Sequence, residues 1–117
     1  MALVALTDYF TRHPPSSADP VCVSTPGYKA PGPRIRNRLR EMSIPLDADR
    51  NCRYREGQVV HGVVGVWRTE AAHFVADVHA IEFADVSVLL QSYRYTVARS
   101  GDGFSVVSEV AGPCNPE

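Results

Sequence analysis

The sequence predicts an α+β fold in which two helices pack on one face of a four-stranded antiparallel meander sheet. Apolar residues recur with a helical period before Gln58 and alternate with a period of two from there onward. The segments between the alternating stretches are two to four residues long, which forces neighbouring strands to run antiparallel. Because 117 residues match the size of one domain, we expect residues 1–117 to form a single domain.

Two helices are predicted in the first third of the chain. The first spans residues 2–13, where the apolar residues share one helical face and two prolines follow. Residues 14–33 contain six prolines and predict an irregular connection, with a short extended stretch at residues 21–23. The second helix spans residues 33–42, and Pro33 suits its first turn.

The remaining chain, residues 59–111, predicts the sheet. Its strands are Val59–Arg68, Ala72–Phe83, Val86–Arg99 and Phe104–Ala111. Valine is abundant in all of them, as is typical of strands. The segment Ser100-Gly101-Asp102-Gly103 is a strong turn signal and predicts a hairpin between the last two strands.

The loop lengths predict a register and therefore two sheet faces. The predicted pairs are His61 with His79, Asp77 with Ser92, Val75 with Arg94, Tyr95 with Ser108 and Tyr93 with Val110. The face expected to receive the helices holds Val60, Val64, Val66, Phe74, Ala76, Val78, Leu89, Tyr93, Tyr95, Val97, Phe104, Val106 and Val110. The opposite face holds His61, Val63, Trp67, His73, Val75, Asp77, His79, Ile81, Val88, Leu90, Ser92, Arg94, Thr96, Val107 and Glu109. We call the helix-covered face the inner face and the opposite face the outer face.

Composition narrows the function classes. Twelve basic and thirteen acidic residues give a formal charge of −1, which disfavours a wholly basic nucleic-acid binder and a polybasic membrane protein. No apolar run reaches the roughly 18 residues of a membrane helix, so we expect no membrane partner. No phosphate-binding, dinucleotide-binding or hydrolase motif is present, so we expect no cofactor and assign no catalytic residue.

Three cysteines leave the thiol chemistry open. None has the spacing of a zinc site, so we expect no metal. One disulfide, with Cys22–Cys52 as the preferred pair, and three free thiols are both compatible with the count. Residues 1–10 lack the pattern of a secretory signal and predict a cytoplasmic location; a periplasmic or secreted location applies if a leader has been removed.

The outer face carries a first set of candidate residues. These are His61, Trp67, His73, Asp77, His79 and Arg94. Two histidines and a carboxylate could bind a transition metal or transfer protons. The interpretation that we favour is a hydrogen-bonded strip with Asp77 paired to Arg94. Because this face is too apolar for a solvated surface, we expect a second copy of the chain to cover it, with Trp67 as the anchor.

Two further sets concern a pocket and an anion site. Phe74, Tyr93 and Tyr95 could line a small apolar cavity between sheet and helices, because the tyrosine hydroxyls need partners and two short helices cover four strands incompletely. Alternatively, the tyrosines are fully packed. Arg34, Arg36, Arg38 and Arg40 on the second helix, with further arginines up to residue 55, form a locally basic patch. Their stems could simply cover the edges of the helix contact, or their heads could bind an anion.

Helical segments followed by an antiparallel meander resemble the cystatin-like and NTF2-like cone-shaped α+β domains. The closing hairpin over residues 95–107 looks like the one common in those proteins. The resemblance covers residues 59–111 and implies a cone-shaped fold, while no position matches a catalytic motif of that group.

The sequence therefore favours a small non-catalytic binding or interaction domain that forms a homodimer through the outer face. The first alternative is a small cone-type enzyme or carrier of a small apolar ligand, with its pocket near Tyr93 and Tyr95. The second alternative is an anion or nucleic-acid binder that uses the patch from Arg34 to Arg55.

Overall fold

The chain folds into two helices and one five-stranded sheet. The structure is a computed structural model that describes residues 2–15, 20–26, 29–47, 58–70, 73–82, 86 and 88–112. The helices are α1 (Ala2–Arg12) and α2 (Pro33–Glu41). The strands are β1 (Cys22–Ser24), β2 (Val59–Glu70), β3 (His73–Glu82), β4 (Val88–Ser100) and β5 (Gly103–Ala111), and they lie in the sheet in the order of the sequence.

The α+β class and the two helices are confirmed, whereas the four-stranded antiparallel meander is wrong. β1 is a fifth strand that runs parallel to β2, with Cys22 beside Val60 and Val23 beside His61. A parallel pair requires a crossover connection, and α2 lies in the segment that joins β1 to β2. The sheet is therefore mixed, with antiparallel pairing only from β2 to β5.

Each helix ends where its sequence requires. α1 buries Leu6, Tyr9 and Phe10 and ends just before the Pro14–Pro15 pair, since proline cannot continue a helix. α2 begins at Pro33, which has no N–H to leave unpaired in a first turn. Its chain reverses at Ser43, whose positive φ of 63° brings the Ile44 N–H back to the carbonyl of Leu39.

The predicted strand register is wrong over much of the sheet, because the β2–β3 and β3–β4 connections lie at other residues than predicted and extra residues interrupt the pairing. Such β-bulges lie at Val64 and Thr69 in β2, at Leu90 in β4 and at Val107 in β5. The observed pairs are His61 with Ala80, Asp77 with Arg94, Val75 with Thr96, Tyr95 with Glu109 and Tyr93 with Ala111. Beside the tight turn the register is as predicted, with Val97 opposite Val106.

The bulges change which residues face α1. The buried core consists of Ala5, Leu6, Tyr9, Phe10, Val21, Val23, Leu39, Ile44, Val63, Ala76, Val78, Tyr95 and Val97. His61, Val63 and Glu109 lie on the inner face and not on the outer face, as their contacts with α1 and the core show. Val110 pairs with Arg94 on the outer face, so its assignment to the core is wrong. Val60 is buried but does not belong to this cluster, Val64 is exposed at its bulge, and Leu89 is partly exposed.

The contact between β1 and β2 depends on a glycine. Ser24 pairs with Gly62, and a Cβ atom at Gly62 would collide with the Ser24 hydroxyl oxygen. The missing side chain therefore lets the short parallel strand close onto β2. This close contact between the two strands explains why a glycine lies inside β2, although glycine otherwise weakens a strand.

Candidate functional site

A cluster of polar and aromatic side chains lies between α1 and the inner face of the sheet. Its members are Tyr9, His13, His61, Gln91, Tyr93, Tyr95 and Glu109. We call this set the α1 polar cluster. Four of its residues, Tyr9, His13, Gln91 and Glu109, were not among the predicted candidates, and His61 was placed on the wrong face.

One half of the α1 polar cluster centres on the Tyr9 hydroxyl. Gln91 Nε2 donates to this hydroxyl at 2.8 Å, and the hydroxyl lies 2.7 Å from His61 Nδ1. Since the Tyr9 oxygen accepts from Gln91, its own proton is available to Nδ1 of a neutral His61. Gln91 Oε1 accepts from Tyr93 at 3.4 Å. The chain of bonds ties α1 to β2 and β4.

The other half of the α1 polar cluster centres on Glu109 of β5. The Tyr95 hydroxyl donates to Glu109 Oε2 at 2.6 Å, and His13 Nε2 lies 2.9 Å from the same oxygen. Arg12 NH1 is 4.0 Å from the second carboxylate oxygen. The His13 ring stacks on Tyr93 with centroids 4.1 Å apart and an angle of 21°, which joins the two halves.

The ionisation states follow from this packing. Burial raises the pKa of Tyr9 to about 12 and lowers the pKa of His61 to about 4. Burial raises the pKa of Tyr95, and the hydrogen bond to Glu109 raises it further. Burial acts to raise the pKa of Glu109, but the bonds from Tyr95 and His13 and the charges of His13 and Arg12 outweigh it, so this pKa is lowered.

The arrangement can hold a proton acceptor in a fixed orientation. Glu109 positions the His13 imidazole through Nε2, which is how carboxylates orient histidine bases in catalytic sites. The same bonds also clamp α1 to the sheet, and every polar group that we name here already has a partner in the fold. Among the described residues, no three His, Cys, Asp or Glu side chains come close enough to hold a metal ion.

The burial of His61 makes the stability of the fold depend on pH. The unfolded chain binds a proton near pH 6.5, whereas the folded chain resists it until about pH 4. The stabilisation is therefore complete above about pH 6.5 and is lost as pH falls towards 4. We expect the free energy of unfolding to fall by about 2 kcal/mol more between pH 7 and pH 5 in the parent than in His61→Asn.

Urea denaturation of both proteins at each pH measures this difference. Asparagine is the matched replacement, because its Oδ1 can take the place of Nδ1 as acceptor for Tyr9 without titrating. Parallel pH curves for the two proteins would contradict the assignment.

The outer face carries a second arrangement of predicted residues. Arg94 donates to Asp77 through Nε at 2.8 Å and through NH2 at 2.9 Å, a bidentate pair. The guanidinium also lies 5.0 Å from the centroid of the Trp67 ring, within cation–π range. The Trp67 ring lies against Gly65, where a Cβ would meet ring atoms at 3.4 Å. This pairing of Asp77 with Arg94 is the one that the sequence analysis favoured.

The histidines predicted to join Asp77 are not brought together. His79 lies beside Ser92 on the outer face, while His61 lies beneath α1, and His73 sits at the exposed start of β3. Burial lowers the pKa of His79, against the effect of Asp77. His79 Nε2 and Ser92 Oγ are buried without a hydrogen-bond partner, so this pair adds polarity to the outer face without forming a bonded site.

The predicted pocket residues are packed in place. Tyr95 is fully buried and bonded to Glu109, Tyr93 is half-buried against His13, and Phe74 meets Phe104 edge-on at 5.8 Å. Tyr95 therefore agrees with the alternative that the tyrosines are fully packed. The hydroxyls of Tyr93 and Tyr95 could have indicated the α1 polar cluster from the sequence, because a tyrosine carried into the core needs a hydrogen-bond partner there.

The four arginines of α2 do not share one site. Arg36 is buried and donates to the backbone carbonyl of Asp47, whereas Arg38 pairs with Glu41 and Arg40 with Asn37. Arg34 is exposed. The arginines at positions 50, 53 and 55 lie outside the described residues.

Of the three cysteines, the structure describes Cys22. Cys22 is fully buried and disulfide-bonded. Cys52, the partner that the sequence analysis preferred, lies outside the described residues, as does Cys114. The disulfide ties β1, at the edge of the sheet, to another part of the chain.

In the described part of the chain, neither helix has the length and apolar character needed to cross a membrane. Comparison with family models, with curated proteins and with solved structures finds no match to the chain.

Proposed function

We propose that the chain is a non-catalytic interaction module that forms a homodimer through the outer face of its sheet. One observation carries the proposal. Trp67 is 40% exposed on this face, and its ring is held by Arg94, which is itself held by Asp77. Tryptophan and arginine dominate binding energy at protein interfaces. Because they are already fixed, they lose little side-chain entropy on association.

Apolar neighbours extend the surface around Trp67. Val110 lies opposite Arg94 in β5 and is 54% exposed, and Val107 at the bulge is exposed to a similar degree. Thr96 and Ser108 complete the row of Trp67 and Val75. An exposed apolar surface with a polar surround is typical of a protein interface.

A second copy fits this surface better than a charged partner does. Asp77 and Arg94 are the charged side chains in the described part of the outer face, and they neutralise each other. Two copies therefore meet without charge repulsion. Trp67, Val107 and Val110 give such a contact an exposed apolar centre.

The oligomeric state tests the proposal directly. We expect light scattering after size-exclusion chromatography to give twice the chain mass for the parent. Trp67→Asp and Val110→Asp should each raise the dimer dissociation constant at least about tenfold, because a charge would be buried at the interface. Val86→Asp is the matched control, since Val86 is an exposed valine outside the strands.

Two results would overturn the homodimer. One is a strictly monomeric parent at high concentration. The other is a dimer that both face substitutions leave as stable as Val86→Asp does. Near-ultraviolet circular dichroism of each variant separates a lost interface from a lost fold.

We also propose that the fold is related to the cystatin-like and NTF2-like domains. The packing of α1 across β2, β3, β4 and β5 supports it.

A further inference from the structure

An open groove runs between α1, α2 and the edge strand β5. Its volume is about 360 Å³, and its apolar lining comes from Leu3, Val4, Phe104 and Val106. Arg38 of α2 also lines it. The groove lies at the side of the sheet, so it is separate from both the outer face and the α1 polar cluster.

The charges around the groove favour an acidic occupant. Arg38 is 48% exposed, and its pair with the exposed Glu41 at 3.3 Å is a surface ion pair that costs little to exchange. Arg99 lies 5.6 Å from the ring centroid of Phe104, which lines the groove. The acidic lining residue, Asp8, is already bonded to Arg12 at 2.6 Å.

The neighbouring strand edge favours an extended peptide over a small molecule. β5 pairs with β4 on one side and, within the described ranges, with no strand on the other. A free strand edge accepts an added strand through its backbone N–H and C=O groups. Since residues 104–106 of β5 line the groove, alternate side chains of an added strand would point into it. A small molecule would need a more enclosed site.

We propose that this groove binds an extended acidic peptide segment of another protein. The peptide adds a strand beside residues 104–106, places an apolar side chain against Phe104, and places an acidic side chain next to Arg38. This surface is independent of the homodimer, because it uses the edge of the sheet and not its outer face.

A synthetic hexapeptide of alternating glutamate and valine is the probe, with the isotope-labelled full chain observed by NMR. We expect backbone amide shifts concentrated at residues 103–106. Arg38→Glu should weaken binding about tenfold or more, because it replaces attraction by repulsion. Arg40→Glu is the matched control. Arg40 is exposed on the same helix and bonds to Asn37, but it does not line the groove.

Two peptide controls separate strand addition from simple charge attraction. Methylation of every second backbone nitrogen should abolish binding, and replacement of glutamate by lysine should do the same. Trp67→Asp should bind the peptide like the parent, which keeps this test distinct from that of the dimer.

Any of several results would overturn the proposal. They are an absence of shifts at millimolar peptide, equal binding of the methylated peptide, and equal weakening by Arg40→Glu. Tighter binding of an oligothymidylate at the same residues would instead identify a nucleic-acid surface.

Discussion

Replacing Glu109 with leucine lowers the free energy of unfolding by about 3 kcal/mol, because it leaves a buried hydroxyl without an acceptor. Tyr95 is fully buried, and its hydroxyl donates to Glu109 at 2.6 Å. The substitution also removes the acceptor of His13, so α1 loses a bond to β5. Glu109→Gln should cost about 1 kcal/mol, since its carbonyl oxygen can still accept from Tyr95.

A double-mutant cycle distinguishes the unpaired hydroxyl from lost packing. In a Tyr95→Phe background, Glu109→Leu should cost about 1–2 kcal/mol less than in the parent, because no donor is then left unpaired. Urea denaturation provides the four free energies. Equal costs in the two backgrounds would show that the Tyr95–Glu109 bond is not what makes Glu109 important.

The second large effect is an asymmetry within the Asp77–Arg94 pair. The Asp77 side chain is 7% exposed, whereas that of Arg94 is 40% exposed. Arg94→Met leaves a buried carboxylate without its partner and should destabilise the fold by about 3 kcal/mol. Asp77→Asn leaves Arg94 able to turn into water, so its cost should be about 1 kcal/mol.

Chemical denaturation of the two variants, measured at a concentration where both are monomeric, gives the comparison. A larger loss in Asp77→Asn than in Arg94→Met would contradict the burial argument. Arg99→Met is a suitable control, because Arg99 also stacks on an aromatic ring but lies exposed at the end of β4.

The helices could be predicted from the sequence because local signals define them. A single apolar face and flanking prolines determine α1, and Pro33 marks the start of α2. The closing hairpin was also predictable near its turn, since Gly101 takes the positive φ of 60° that a tight turn needs. In each case the deciding interaction lies within a few residues.

The outer and inner faces could be predicted only in part, because alternation does not reveal a β-bulge. An extra residue at Val107 moves Glu109 opposite Tyr95, and the one at Val64 shifts the pairing of β2. Since the side-chain period is two, each shift moves polar residues to the other face. Trp67 lies on the other face of the sheet from Phe74 and Tyr95, as predicted. It pairs with Val75, which in turn pairs with Thr96, so these three residues share the outer face.

The candidate site was missed for a related reason. The alternation with a period of two placed His61 and Glu109 on the outer face. In the fold they satisfy Tyr9 and Tyr95, whose hydroxyls are carried into the core with their rings. Likewise, β1 has only three residues, too few to display an alternation that would predict its parallel pairing.

The bond between His13 and Glu109 has a consequence during synthesis. These residues lie 96 positions apart, so α1 cannot form this bond until β5, which is synthesised much later, has left the ribosome. Until then α1 can pack against β2, β3 and β4, but its contacts with β5 are missing. Contacts this distant slow folding, and we expect nascent chains that end before β5 to depend on chaperones.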